Sequence, residues 1–145
     1  MMRAPIALYR LHLGALLGGR FLLLEHVGRN TGLERRTVLE VVGTMDGSPV
    51  IVSGFGDTSQ WFKNVSHNPD VWVTRGRSRA RATAIRLDPE QARAVFDRYR
   101  IDHPRAAKAI GKRIGVSLVD DIDTAARMLP LFRLAPSTDA RLHTT

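Results

Sequence analysis

The chain contains no cysteine, which excludes disulfides, thiolate nucleophiles and thiolate-held metals. Its five histidines, His12, His26, His67, His103 and His143, are scattered without ligand spacing, which argues against a metal centre. Aromatic residues make up only 6% of the chain, little for the stacked platforms of single-strand nucleic-acid binders. Nor is there an uninterrupted apolar span of membrane length. Arg10, His12 and Arg20 break the Leu- and Ala-rich stretch at 4–24, and Arg10 and His12 sit where the apolar region of a signal peptide belongs. No strand–GxGxxG–helix unit is present, so a Rossmann-type nucleotide site is not expected. Acidic residues are also scarce, 14 against 22 basic ones, for a net charge of +8. That excess points to an acidic partner: a nucleic acid, an anionic lipid or an anionic small molecule. Because 19 of the 22 basic residues are arginine, a G+C-rich genome explains the bias equally well.

What is present is concentrated near residue 30. Gly28-Arg29-Asn30-Thr31-Gly32, with Arg35 and Arg36 behind it, lies between the apolar runs Phe21–Leu24 and Val38–Val42. A glycine-bracketed polar turn between two strands gives backbone N–H groups a concave arrangement that favours anions. The arginines add fixed charge and bidentate donors suited to phosphate or carboxylate. These residues predict an anion site at a β–β loop.

At 145 residues the chain is expected to form one main domain. Ile6, Tyr9, Leu13, Leu16 and Leu17 recur at helical spacing before Gly18-Gly19. They predict an amphipathic helix over 1–19 that packs on the body, with interfacial membrane contact as the alternative. Strands are expected at about 20–27, 36–45, 50–53, 71–74 and 79–87, and Asp46-Gly47 is a hairpin signal between the second and third. Ser59 to Asn68 reads as a short helix ended by Pro69. Asp88-Pro89-Glu90-Gln91 is a capped helix start followed by the stripe Ala92, Val95, Phe96 and Tyr99. One or two short helices should fill 103–128, Leu131–Leu134 form a last strand, and 137–145 a flexible tail. The order predicts an α+β fold: a small split β-barrel of about six mostly antiparallel strands with flanking helices, its barrel domain covering 20–136.

The order of four motifs carries a family resemblance. Gly28-Arg29-Asn30-Thr31-Gly32 with Arg35-Arg36, the glycine turn Ser53-Gly54-Phe55-Gly56, Trp61-Phe62-Lys63-Asn64-Val65 and Asn68-Pro69-Asp70-Val71 follow one another at familiar spacing. Over about residues 20–87 the chain resembles the deazaflavin-dependent nitroreductases, also called F-420-dependent quinone reductases. Asn30 stands where that family often has Lys or Arg, and Val38 where many relatives have proline. The resemblance implies a split barrel that binds the deazaflavin coenzyme F-420, with FMN as the alternative cofactor. It implies hydride transfer to a small conjugated acceptor such as a quinone or nitroaromatic. It also implies that Arg29, Asn30, Thr31, Gly32, Arg35 and Arg36 hold the phosphate-bearing side chain, that Ser53, Gly54 and Gly56 let backbone approach the ring system, and that Trp61 and Asn64 border the site. Acid–base residues need not be conspicuous, because the hydride chemistry is the cofactor's own. Hydroxyls facing the acceptor are expected from the C-terminal part, with Tyr99 and Ser117 as candidates; no catalytic residue is assigned.

Plainer readings of the same residues compete. Arg29 can pair with Glu25 or Glu40, Trp61 can be a core aromatic and Trp72 is expected to be one, and Arg75, Arg77, Arg79 and Arg81 are most simply a solvated hairpin. From another class comes a nucleic-acid module in which the four arginines follow a phosphate backbone while Trp72 stacks a base. No helix-turn-helix, zinc or RNA-recognition signature supports that reading. A cofactor carrier without turnover is a third. The chain is expected to be a cytoplasmic monomer or homodimer that takes a small-molecule acceptor and no nucleic acid.

Overall fold

The computed structural model describes residues 21–53 and 59–137. The N-terminal helix expected over 1–19 and the glycine turn at Gly54 and Gly56 lie outside them, as does the tail beyond Ser137. The described strands are β1 (Phe21–Val27), β2 (Glu34–Met45), β3 (Ser48–Val52), β4 (Asp70–Arg75), β5 (Ser78–Arg86) and β6 (Leu131–Pro136). The helices are α1 (Gln60–His67), α2 (Pro89–Asp102), α3 (Pro104–Ile114) and α4 (Ile122–Met128). The strands close into a barrel in the order β1-β2-β3-β6-β5-β4, every pairing antiparallel.

Period-two patterning sorts side chains to two cores. Leu22 and Leu24 of β1 and Ile51 of β3 face the barrel interior, where they meet Ala82, Ala84, Phe132 and Leu134. Helix α1 adds Trp61, Phe62 and Val65 to that interior, and both aromatic rings lie within 6 Å of Phe132. On the other side, Val50 and Val52 of β3 join Val95, Phe96 and Tyr99 of α2 and the apolar faces of α3 and α4. A bulge between Val41 and Gly43 turns β2 locally. Val41 packs with the interior and Val42, next in sequence, is buried under the helices, as strand alternation requires.

Local chemistry explains the boundaries. Asp46 (φ 53°) and Gly47 (φ 77°) are both left-handed, as a two-residue hairpin turn requires. The Asp88 carboxylate accepts from Gln91 N at 2.8 Å, and the Gln91 side chain accepts from Asp88 N at 3.0 Å, completing the capping box of α2. Gly115, left-handed, ends α3, so the 103–128 segment makes two helices.

β2 begins at Glu34 rather than Arg36, because its pairing with β1 runs to Val27↔Glu34. Arg35 is therefore a strand residue, opposite His26.

The expectation that Trp72 is a core residue is corrected. Trp72 is 36% exposed on the outer face of β4, beside Arg81 on one neighbour and Glu25 on the other. The Arg79 guanidinium lies 4.0 Å from its ring centre. Arg79 is not part of a freely solvated hairpin either: it donates to the buried Glu25 carboxylate at 2.8 and 3.3 Å. That contact holds the Glu25 carboxyl below the usual carboxylate range, while proximity to Glu25 raises Glu34.

Candidate functional site

The chain leaves β1 through a tight loop. Gly28 N donates to Leu33 O at 2.8 Å and Gly32 N to Gly28 O at 2.9 Å, while Thr31 Oγ1 accepts from Leu33 N at 3.2 Å. A Cβ on residue 28 would stand 2.9 Å from that Thr31 oxygen, and Gly32 has φ +71° with open space around it. The first glycine is fixed by close approach, the second by backbone conformation. Arg29 N is also engaged, donating to Asn64 Oδ1 at 3.1 Å. Of the loop N–H groups from 28 to 33, those of Asn30 and Thr31 make no hydrogen bond among the described residues. The anion-favouring backbone expected of this loop is thereby reduced to two donors, and side chains carry most of the positive potential.

A cavity of about 540 Å³ opens beside the loop, between the adjoining ends of β1 and β2 and helix α1. It brings together Arg29, Asn30, Thr31, Arg35, Arg36, Trp61 and Asn64, drawn from two of the four motifs. His26, Thr37 and Gln60 line it as well, and the sequence had not singled them out. His26 could have been found by pattern: it continues the inward-facing series Leu22, Leu24 to the strand end, as a polar residue on an apolar face.

The three arginines differ in what already holds them. Arg29 donates to Asn64 Oδ1 at 2.8 Å and to Gln60 Oε1 at 3.1 Å, and so pairs with neither Glu25 nor Glu40. Arg36 lies 3.8 Å from Glu25 and 3.7 Å from Glu34, in loose pairs with a 40% exposed side chain. The Arg35 side chain has no hydrogen-bond or ion-pair partner among the described residues. Asn64 is buried at the hub, its Nδ2 3.2 Å from His26 Nδ1. Burial, with Arg35 nearby, holds His26 down to about 4 from its usual 6.5, so the ring is neutral at physiological pH.

Other expected residues are placed elsewhere. Ser53 is fully buried, its N–H on Pro130 O and its hydroxyl 2.7 Å from the Ser59 hydroxyl, and it does not line the cavity. Gly32 shapes the loop without lining the cavity. Tyr99 is buried under the helices and donates to Glu40 at 2.6 Å, and the Ser117 hydroxyl accepts from Val119 and Asp120 N. Neither hydroxyl reaches this cavity.

Comparison with known proteins bears on what the cavity takes. A family model described as F420H(2)-dependent quinone reductase matches residues 2–119. Among solved structures, an F420-H2 dependent reductase (FDR-A) is similar at 24% identity and TM-score 0.57, over 79% of this chain and 93% of that one. A chain described as a domain-swapped dimer is similar at 20% identity and TM-score 0.58, over 90% and 99%. A pyridoxamine 5′-phosphate oxidase-related, FMN-binding protein from Nostoc punctiforme is similar at 14% identity and TM-score 0.54, over 94% and 81%. These likenesses establish the split-barrel fold. No curated protein matches the sequence.

Proposed function

The chain belongs to the F420H(2)-dependent quinone reductase family, an oxidoreductase family that uses coenzyme F420, and from that premise we propose that the 540 Å³ cavity is where the coenzyme's phosphate-bearing side chain is held. The observation that carries the reading is Arg35. A guanidinium at a cavity wall, without a partner among the described residues, offers bidentate donors to a phosphate or carboxylate. Asn30 and Thr31 line the same cavity and their N–H groups are without a partner among the described residues, and Arg36, loosely held, adds charge. Arg29 plays a different part: its bonds to Asn64 and Gln60 pin the loop to α1. Trp61 supplies an apolar wall shared with the barrel interior.

The donor set fits an anionic cofactor. When bound, the reduced deazaflavin supplies the hydride, and the residues of this chain bind, orient and shield. The acceptor is a small conjugated molecule, a quinone or a nitroaromatic, taken up by a homodimer or monomer. Against the nucleic-acid reading, the Arg79 guanidinium lies over the Trp72 ring and is itself tied to the buried Glu25 carboxylate rather than free for a phosphate. Among the described residues no helix is long and apolar enough to cross a membrane.

Parallel titration with F420 and FMN tests the site. F420 should bind more tightly than FMN, and Arg35→Ala should weaken F420 by roughly 1.5–3 kcal/mol, the scale of a charge-assisted hydrogen bond. Arg29→Ala should weaken it too, but with a lowered melting temperature that Arg35→Ala does not show. Wild-type affinity in Arg35→Ala would overturn the assignment.

A further inference from the structure

His26 sits at a junction that the hydride chemistry does not call upon. The Asn64 amide has only one orientation open to it. Its Oδ1 faces two obligate donors, Arg29 N at 3.1 Å and Arg29 Nη1 at 2.8 Å, so the atom there must be oxygen. The other end is then the NH2 group, 3.2 Å from His26 Nδ1. A donor facing Nδ1 requires that nitrogen to be bare, which places the ring proton on Nε2 and leaves no room for an imidazolium. His26 reads the amide, the amide reads Arg29, and Arg29 carries the loop.

We propose that His26 is a positioning residue for the coenzyme: as the neutral Nε2–H tautomer it fixes the Asn64 amide, which holds Arg29 and the 28–32 loop in the geometry that the bound phosphate group needs. The inference rests on the reading of the cavity as the phosphate site. The charges around the ring are of both signs. Arg29, Arg35 and Arg36 line the main cavity that His26 borders, while Glu25, Glu34, Asp70 and Arg81 line a smaller one of about 250 Å³ that His26 also borders. The cationic cavity disfavours a further positive charge on the ring, as the lowering by burial and by Arg35 reflects. A bound phosphate would act in the opposite sense, so neutrality during binding is secured by the Asn64 donor.

Three variants and one spectrum test this. ¹⁵N NMR of the histidine rings in the coenzyme-free protein should show His26 with Nδ1 bare and Nε2 protonated, unchanged from pH 8 to below pH 6. His26→Leu should raise the Kd for F420 about tenfold at pH 7.5, the scale of one orphaned buried donor, with kcat at saturating coenzyme little changed. His26→Gln, whose Oε1 can accept from Asn64, should restore most of that affinity. Asn64→Asp puts a carboxylate against Nδ1 and should bring His26 protonation, and a matching pH dependence of Kd, into the neutral range. A His26 protonated at Nδ1, or titrating above pH 6 in the wild type, would overturn the proposal whatever the coenzyme does. So would wild-type affinity in folded His26→Leu. The NMR result is independent of the coenzyme, whereas wild-type affinity in Arg35→Ala would remove the phosphate site and leave the tautomer standing.

Discussion

Replacing Arg79 with alanine, with Arg77→Ala as its control, separates a structural arginine from a solvated one two residues away. Arg79 is bidentate on Glu25, a carboxylate with only 2% of its side chain exposed, while its own side chain is 47% exposed. Breaking a fully buried pair by removing one partner costs about 3–5 kcal/mol, and breaking an exposed one at most about 1 kcal/mol. Arg36, 3.8 Å from Glu25, stays behind as a weak substitute, and the stacking on Trp72 is lost. The balance is a loss of about 2 kcal/mol for Arg79→Ala. For a domain of this size that corresponds to roughly 4–8 °C in melting temperature. Arg77→Ala should stay within about 0.5 kcal/mol of wild type, as surface substitutions do. The pH dependence gives a second signature. Glu25 is depressed in the folded chain, so its pairing stabilises above the unfolded carboxylate value of 4.5 and is lost as pH falls below it. Arg79→Ala should flatten that acid limb. Urea denaturation of the three proteins from pH 7 to pH 3 measures both effects. Equal stabilities for Arg79→Ala and Arg77→Ala, with parallel acid limbs, would refute the reasoning.

His26 makes a separate contribution on the acid side. Its folded value of about 4 lies below the usual 6.5, so the unfolded chain takes up the proton first; stability is complete above pH 6.5 and declines as pH falls through about 4. A shift of that size is worth about 3 kcal/mol, and His26→Gln should remove the decline between pH 6.5 and 4 as followed by thermal melts. At Gly43, a Cβ would stand 2.9 Å from Val95 Cγ1, where α2 crosses β2. Gly43→Ala should destabilise by about 1–3 kcal/mol, and a second change, Val95→Ala, should recover part of that loss in denaturant titrations.

Features written in short stretches of sequence were legible. The Asp46-Gly47 hairpin, the Asp88 cap, the strand periodicity and the glycine-bracketed loop each depend on residues a few positions apart, and each formed where expected. What escaped was set by barrel closure. Arg29 finds its partners on α1, 31 and 35 residues away, rather than on neighbouring Glu25. Trp72 is drawn outward because β4 alternates, and Val71, not Trp72, falls on the inward side. Tyr99 and Ser117 carry hydroxyls that sequence alone leaves free; packing commits one to Glu40 and the other to its own turn. The loop's backbone was read as more open to an anion than it is, since internal hydrogen bonds take up the N–H groups of Gly28, Arg29, Gly32 and Leu33 and cannot be seen from composition.

The strand order has a consequence for how the chain is made. β6, residues Leu131–Pro136, is the staple between β3 and β5, two strands separated from it by about eighty and fifty positions. During synthesis from the N-terminus, β1 to β5 can pair as three hairpins (β1–β2, β2–β3 and β4–β5) and a β1–β4 seam while β3 and β5 still show open edges. The helices α2 to α4 must emerge before anything can seal that slot. A ribosome stalled near residue 130 would therefore hold a sheet with two sticky margins, the kind of intermediate that pairs with a neighbouring nascent chain. Late closure of this sort also makes the last strand the place where two copies could trade segments during assembly.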